Sequence, residues 1–485
     1  MNELSRQRRL PIAAIMATLL ASVLLGACSL TPKLVRPDLP VATSFPDVDA
    51  SSDTALRSAI DTGWQDFFPD PRLQALIEAA LANNRDLRSA ALRIEEARAL
   101  TDVQSADLLP NVGVAAGGTR SRSQLGSSGA ARSAVFSNYQ VGLSLAAFEL
   151  DFFGRVRSLN DAALAQYLAS GEARQSVQIS LVASVAQTYL NERGLAEQLA
   201  LAQSTTEGRQ KAFNLARQRF DAGASSALDL RLAETLVLSA RVAAVTLARQ
   251  QAQAKNALTL LVGRPLTDLP PVQALSSEKI VTGIPPGLPS DLLTNRPDIR
   301  AAEQRLIAAN ANIGAARAAF FPRISLTAGL GTASTALSSL FDTGSGTWSF
   351  GAQLLAPIFD AGRNRANLTL AEVRTNLAVA DYEKTIQVAF REVSDALDAR
   401  GTLEEQIAAQ EAFLAAQADR LRLADLRLQN GVASSLEVLD AQRDLFNAQQ
   451  SLVQTRLQRL TNAVDLYRSL GGGILKQSAP VSTAR

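Results

Sequence analysis

Three carboxylates are the residues best placed to do chemistry in this chain: Asp229, Glu437 and Asp440. The first lies in RFDAGASSALDLRLAE, from Arg219 to Glu234. The other two lie in RLQNGVASSLEVLDAQ, from Arg427 to Gln442, a second version of the same turn 208 positions on (431 − 223, from Gly223 to Gly431). Both glycines suit the left-handed position that ends a helix. Ser226-x-x-Asp229 and Ser434-x-x-Glu437 have the spacing of capping boxes that begin the next helix, which accounts for Asp229 and Glu437. Asp440 stands one turn further in and its counterpart in the first turn is Leu232 (440 − 208), so capping does not need it.

Other chemistry is excluded by composition. The 485 residues contain no His, and the single Cys, Cys28, closes a leader. Imidazole acid–base catalysis, His-ligated metals, cysteine nucleophiles in the body and intrachain disulfides are therefore ruled out. Acidic residues are available, but no pairing or cofactor motif is visible. The chain is read as no enzyme, with neither cofactor nor metal. With 48 Lys and Arg against 46 Asp and Glu, it also gives no reason to expect nucleic acid.

The leader carries Arg6, Arg8 and Arg9 ahead of an apolar run from Ile12 to Leu25, too short for a comfortable span and typical of a signal peptide over residues 1–27. It ends in Leu25-Gly26-Ala27-Cys28, which resembles the lipobox of bacterial lipoproteins. That resemblance implies a covalent lipid (palmitate) on Cys28, and Ser29 in place of Asp favours the outer membrane by the enterobacterial sorting rule.

These residues must be positioned by long helices. After a lipid-anchored extended segment over 28–70, helical periodicity runs from about Pro71 to Asp107. It changes at Leu109-Pro110 to alternation with a period of two. In YQVGLSLAAFEL, Val141, Leu143, Leu145 and Ala147 alternate with Gln140, Gly142, Ser144 and Ala146. A helical stretch from Val156 to Asp221 and its return from about Ser226 to Val262 surround the first turn, and Gly171, Gly194 and Gly208 need not end it. A Pro-rich linker over 265–289 then separates a first repeat (71–290) from a second (291–470), with 471–485 as a tail. Arg300 answers Arg88 and Pro322 answers Pro110 at an offset of 212, whereas Gly362 answers Gly154 at 208, so four residues are missing between. Strands are expected at about 109–122, 136–150, 321–332 and 347–357, with Leu326 toward lipid and Thr327 toward a lumen.

Four strands of alternating polarity leave two edges that a bilayer does not tolerate, and four are too few to close. Three chains would give twelve, an even number within the range of outer-membrane barrels. The alternative is a soluble sheet packed on the helices, which are too long for so small a sheet. In the last helix Leu439, Phe446, Val453, Leu460 and Tyr467 recur every seven residues, as in a supercoiled seam.

The duplicated helix–hairpin–helix plan, NRPDIRAAE, AFFPRISL, IFDAGRNRA and GVASSLEVLDAQ together resemble the TolC-type outer-membrane efflux channels. The lipobox resembles their lipoprotein branch, of the OprM or NodT kind. The resemblance covers nearly all of the mature chain. It implies a mainly α fold: a homotrimer with one shared twelve-stranded β-barrel, a long periplasmic α-helical cylinder and a mixed belt from linker and termini. It implies a passive, tip-gated exit duct for drugs or other toxic small molecules, partnered by a periplasmic adaptor and an RND-type inner-membrane pump. Asp440 and Glu437 then match gate acids. Gly223, Ser226, Asp229, Gly431 and Ser434 form adaptor-docking tips, and Leu428 and Ala433 replace the Tyr and Arg that tie the tips in the best-known members. Within the same architecture the chain could be the outlet of a type I protein-secretion system. In another class it would be a lipid-anchored coiled-coil scaffold without a pore.

Overall fold

The computed structural model describes residues 29–38, 40–42, 44–45, 58–125, 132–267, 269–272, 275, 280–281, 284–285 and 289–478. The signal peptide, Cys28, parts of the linker and the last residues of the tail lie outside the described residues. In chain order the elements are α1 (Trp64–Phe67), α2 (Pro71–Asn83), α3 (Arg85–Ala106), β1 (Val112–Leu125), β2 (Arg132–Leu150), α4 (Arg155–Asp221) and α5 (Ala227–Val262). There follow α6 (Asp291–Asn295), α7 (Pro297–Ala318), β3 (Arg323–Ser334), β4 (Gly346–Leu355), α8 (Arg363–Gln429) and α9 (Ser435–Ser469).

The duplication is visible element by element. Helices α3 and α7 each have 22 residues, and their starts differ by 212 (297 − 85). Helices α4 and α8 each have 67 residues, starting 208 apart (363 − 155). Neither long helix contains Pro, so nothing removes a hydrogen bond from its ladder, and each runs for about 100 Å at ~1.5 Å per residue. The single periodic stretch expected over 71–107 is in fact α2 and α3, divided at Asn84. Its Oδ1 accepts the Leu87 amide at 2.9 Å while its Nδ2 donates to the Leu261 carbonyl at 2.9 Å.

The chain forms two compact units. One comprises the described parts of 1–38, 93–171 and 301–382, and the other those of 39–92, 172–300 and 383–485. The core of the second gathers Trp64, Phe67, Phe68, Leu76, Tyr189 and Tyr467, all nearly free of solvent contact. Phe67 stacks on Tyr467 with ring centroids 4.0 Å apart, and the Tyr467 hydroxyl donates to the Thr62 carbonyl at 2.6 Å. The tail closes over this core, its Leu475 carbonyl accepting the Trp64 amide at 2.9 Å. The expected seam of α9 holds in part. Val453, Leu460 and Tyr467 are buried, but Leu439 and Phe446 are half-buried, and toward the turn the buried stripe passes to Val438, Ala441 and Ala448. A 3.6-residue helix drifts against a seven-residue repeat, which moves the stripe sideways.

The first unit carries a four-stranded antiparallel sheet in the order β1-β2-β3-β4. Its register sorts the two faces. Val114, Leu143, Leu330 and Trp348 lie in one row, and Val112, Leu145, Ala328 and Phe350 in another on the same face. Between them, on the opposite face, runs Gly113, Ser144, Gly329, Ser349. The apolar face is bare: Val114 is 76 %, Leu330 66 % and Trp348 80 % exposed. The outer edges of β1 and β4 have no partner strand among the described residues. No described helix is long and apolar enough to cross a membrane.

Ala147 corrects the simple alternation. Between Leu145 and Phe148 strand β2 advances three residues while β3 advances two, from Ala328 to Leu326, and Ala147 takes a positive φ of 46°. This β-bulge adds one residue to β2. Phe148 and Leu150 thereby return to the apolar face beside Leu326 and Ile324, where strict alternation would have turned them away. The strands also differ from expectation at their ends. Strands β1 and β3 begin at Val112 and Arg323, later than 109 and 321, because Pro110 and Pro322 have no amide for a ladder. The first hairpin extends to the pair Leu125 and Arg132, past the expected strand ends at about 122 and 136.

Residues 29–36 run along α7. The Asn310 side-chain amide donates to the Pro32 carbonyl at 2.8 Å, Arg36 pairs with Glu303 at 2.7 Å, and the Thr31 and Ser158 hydroxyls meet at 3.1 Å. Gly314 is required there, since a Cβ on it would fall 2.2 Å from Thr31 Oγ1.

The register makes a directional prediction. Leu326 stands on the apolar face, and Thr327 on the other, its hydroxyl 3.3 Å from the Gly351 carbonyl. Leu326→Arg should cost about 2–4 kcal/mol per chain in a bilayer, and Thr327→Arg much less. Equal losses of assembled protein in the two variants would contradict the assignment of faces.

Candidate functional site

The two turns end their first helices in the same way. In the first, Gly223 has φ 71°, the Ala224 amide donates to the Arg219 carbonyl at 2.8 Å and the Gly223 amide to Phe220 at 2.9 Å. In the second, Gly431 has φ 70°, with Val432 to Arg427 at 2.9 Å and Gly431 to Leu428 at 3.0 Å. Both are Schellman motifs, in which the left-handed glycine satisfies two terminal carbonyls. No atom lies within 4 Å of a Cβ built on either glycine, so backbone conformation alone demands Gly.

The starts of the second helices differ. Ser226 accepts the Asp229 amide at 3.1 Å and Asp229 Oδ2 accepts the Ser226 amide at 3.3 Å, a complete capping box. The box expected from Ser434 and Glu437 does not form. Ser434 has extended N-cap angles but no side-chain bond, and Glu437 turns back to Arg427 at 3.8 Å. The long Glu side chain reaches the last turn of α8, where a cation also suits the helix dipole.

Ser435 does what sequence reasoning missed. Its hydroxyl donates to Asp229 Oδ1 at 2.6 Å, joining residues 206 apart and so tying one turn to the other within a single chain. Its counterpart in the first repeat is Ala227 (435 − 208), so the link is asymmetric. The Ser435 hydrogen bond, followed by those from Ser226, holds the Asp229 carboxyl below its usual range. One signal was legible: the Ser pair is displaced by one residue between the two turns.

Asp440 is not a bare carboxylate. Arg443, one turn on, pairs with it at 3.1 Å and with Asp444 at 3.2 Å, and Asp444 is held by Arg420 of α8 at 2.7 Å. The Arg420 and Arg443 bonds lower the Asp444 pKa. This chain of alternating charge carries Asp440 to α8. Of the residues standing where a Tyr and an Arg were expected as ties, Leu428 packs on a small cluster of Ala424, Val438 and Ala441, while the Ala433 amide donates to Arg427 at 3.3 Å. Among the described residues no group of three or more acids or cysteines could hold a metal ion.

The profile of the family described as outer membrane efflux protein matches residues 76–264 and 288–472, once over each repeat. The outer membrane protein OprJ of Pseudomonas aeruginosa is 49 % identical over 458 residues, covering 94 % of this chain and 95 % of that protein. The toluene efflux pump outer membrane protein TtgC of Pseudomonas putida is 46 % identical over 468 residues, 96 % of each. Among solved structures, the open-state MtrE outer membrane channel of Neisseria gonorrhoeae superposes with a TM-score of 0.85 at 40 % identity, covering 93 % of this chain and all of that one (100 %).

The Ser435–Asp229 bond predicts a measurable change at the tips. A depressed folded pKa means that the bond contributes above the unfolded value of about 3.9 and is lost as pH falls through the lower folded value. Spin labels at Ala222 and Asn430, in assemblies with one labelled chain, should show one narrow distance distribution at neutral pH that broadens only on acidification below about pH 4. Ser435→Ala should broaden it already at pH 7. A narrow distribution in Ser435→Ala would remove this bond as the tie.

Proposed function

The chain belongs to the outer membrane efflux protein family, and on that premise we propose that it discharges small toxic organic compounds, with an RND-type pump supplying the energy, a lipid on Cys28 and a periplasmic gate at Asp440 and Glu437. It is the outer-membrane channel component of a tripartite efflux system, a trimer that extends into the periplasm and works with an adaptor and an inner-membrane pump. One observation carries the reading of a duct in place of a scaffold. A four-stranded sheet with a bare apolar face and two unpaired edges is stable in a bilayer only when other copies complete it.

The substrate class rests on kinship: a relative of nearly the same length is named for toluene efflux, and another is an outer membrane protein of the same kind. The lipid on Cys28 is supported by the binding of residues 29–36 along α7, which holds the next residues of the chain against the unit that bears the sheet. The gate is supported by charge. Three copies of Asp440 and Glu437 around one axis would attract cations and repel one another, so each needs a cation close by. Arg443 and Arg427 fill that place, and three-fold symmetry repeats the arrangement at every tip.

Two experiments test this. Restoring the chain to a channel-deficient strain together with its pump and adaptor should raise resistance to aromatic solvents and lipophilic drugs severalfold, and export of a folded or unfolded polypeptide instead would replace the reading with protein secretion. In planar bilayers Asp440→Asn should weaken both cation selectivity and block by multivalent cations, while Arg443→Gln should strengthen both. Unchanged selectivity in both conducting variants would take Asp440 out of the gate. Cys28→Ala should lose the acyl chain and still fractionate with the outer membrane.

A further inference from the structure

Arg209 is a charge without a counter-charge. It lies on α4 twelve residues before the helix ends at Asp221 (221 − 209), and it is 5 % exposed. Its Nη1 donates to the Leu236 carbonyl at 3.0 Å and to Ser239 Oγ at 3.3 Å. Its Nη2 reaches the Gln442 carbonyl at 3.5 Å, and the guanidinium stands 5.3 Å from the centre of the Phe446 ring. All of these partners are neutral, and no carboxylate of the described residues lies within ion-pair distance of it. Nε has no acceptor, and the buried Oε1 of Gln442, the residue whose backbone carbonyl Nη2 reaches, has no donor. Burial pushes the guanidinium pKa down with nothing to offset it, yet an arginine stays protonated. A buried cation without an anion is an unfinished arrangement by the usual rule for protein interiors.

The guanidinium borders a cleft of about 470 Å³ between α4, α5 and α9. Leu232, Leu236, Leu439 and Phe446 give it an apolar wall. Asp440 and Arg443 stand at it as well, so its charges are two cations and one anion, a net of +1 (2 − 1). Arg443 is already shared between Asp440 and Asp444, which leaves Arg209 as the unclaimed charge. The volume lies within the range of small-molecule sites, and apolar walls with one convergent charge are their usual chemistry.

We propose that this cleft binds a small amphiphilic organic monoanion, a carboxylate or sulfonate on a ring or short alkyl body, with the anionic head at Arg209 and the body against Phe446 and the three leucines. Asp440 opposes the head electrostatically and tunes the affinity downward, so the same carboxylate that draws cations from the aqueous side weakens this site. Binding here goes beyond the transport reading and is measurable without pump or adaptor.

The test uses the full trimer in lipid nanodiscs, free of detergent, titrated with 1-anilinonaphthalene-8-sulfonate by fluorescence, with empty nanodiscs subtracted. N-phenyl-1-naphthylamine serves as the same ring body without the sulfonate. The expected result is saturable binding at one site per chain, at least tenfold weaker for the uncharged probe. Arg209→Met should weaken the sulfonate at least tenfold, and Asp440→Asn should tighten it severalfold. Because Arg209→Met removes a buried group, Arg443→Gln, at a half-exposed position, provides a second variant and should weaken binding severalfold. Equal binding of the two probes, loss of affinity in Asp440→Asn, or unchanged affinity in whichever of Arg209→Met and Arg443→Gln assembles as a trimer would overturn the proposal.

Discussion

The hydrogen-bonding demand of two strand edges governs this protein. Strands β1 and β4 each present a row of backbone groups that no other strand among the described residues pairs. In water such edges are a hazard, and in hydrocarbon each unsatisfied group costs several kcal/mol. The apolar rows of Val114, Leu143, Leu330 and Trp348 make hydrocarbon the natural surroundings of that face, so the edges must be met by other copies of the chain. Trimerisation follows as the way the backbone is satisfied. Everything else on the chain is then present three times around one axis, including the carboxylates at the turns.

Duplication supplied the scaffold, and departures from it supply the chemistry. The two long helices agree in length to the residue, and the two turns share both bonds of the Schellman motif. Where the copies part, the charges and ties appear: Ser435 against Ala227, Asp440 against Leu232, Glu437 against Asp229. A symmetric pair of hairpins would have had no reason to hold one another in a single arrangement. Placing the donor on one turn and the acceptor on the other gives the pair an orientation.

Much of this was legible before any coordinates. The lengths of α4 and α5 followed from helical stretches that internal glycines need not end, the turns from Gly and Ser spacing, and the faces of β3 and β4 from simple alternation. What was not legible depends on contacts between distant segments. The same Ser-x-x-acid pattern makes a capping box at Ser226 and none at Ser434, because Arg427 competes for Glu437 and no local rule weighs that competition. Arg209 reads in sequence as one more polar residue on a long helix, and only the approach of α5 and α9 reveals that it is enclosed. Asn84 interrupts a periodic stretch by bonding to a carbonyl 177 positions away.

The bulge at Ala147 gives β2 two reading frames. Up to Leu145 odd-numbered residues face outward, and from Phe148 even-numbered ones do. An insertion or deletion of one residue in the outer part of β2 would throw its whole hairpin half out of phase, as a frameshift does a gene. Loss of Ala147 would act as the matching suppressor for a one-residue insertion on its outer side, because the two shifts cancel before Phe148. Drift in the length of this hairpin among descendants of the same ancestor is thus constrained to changes that keep the parity of the strand, or that gain and lose a bulge together.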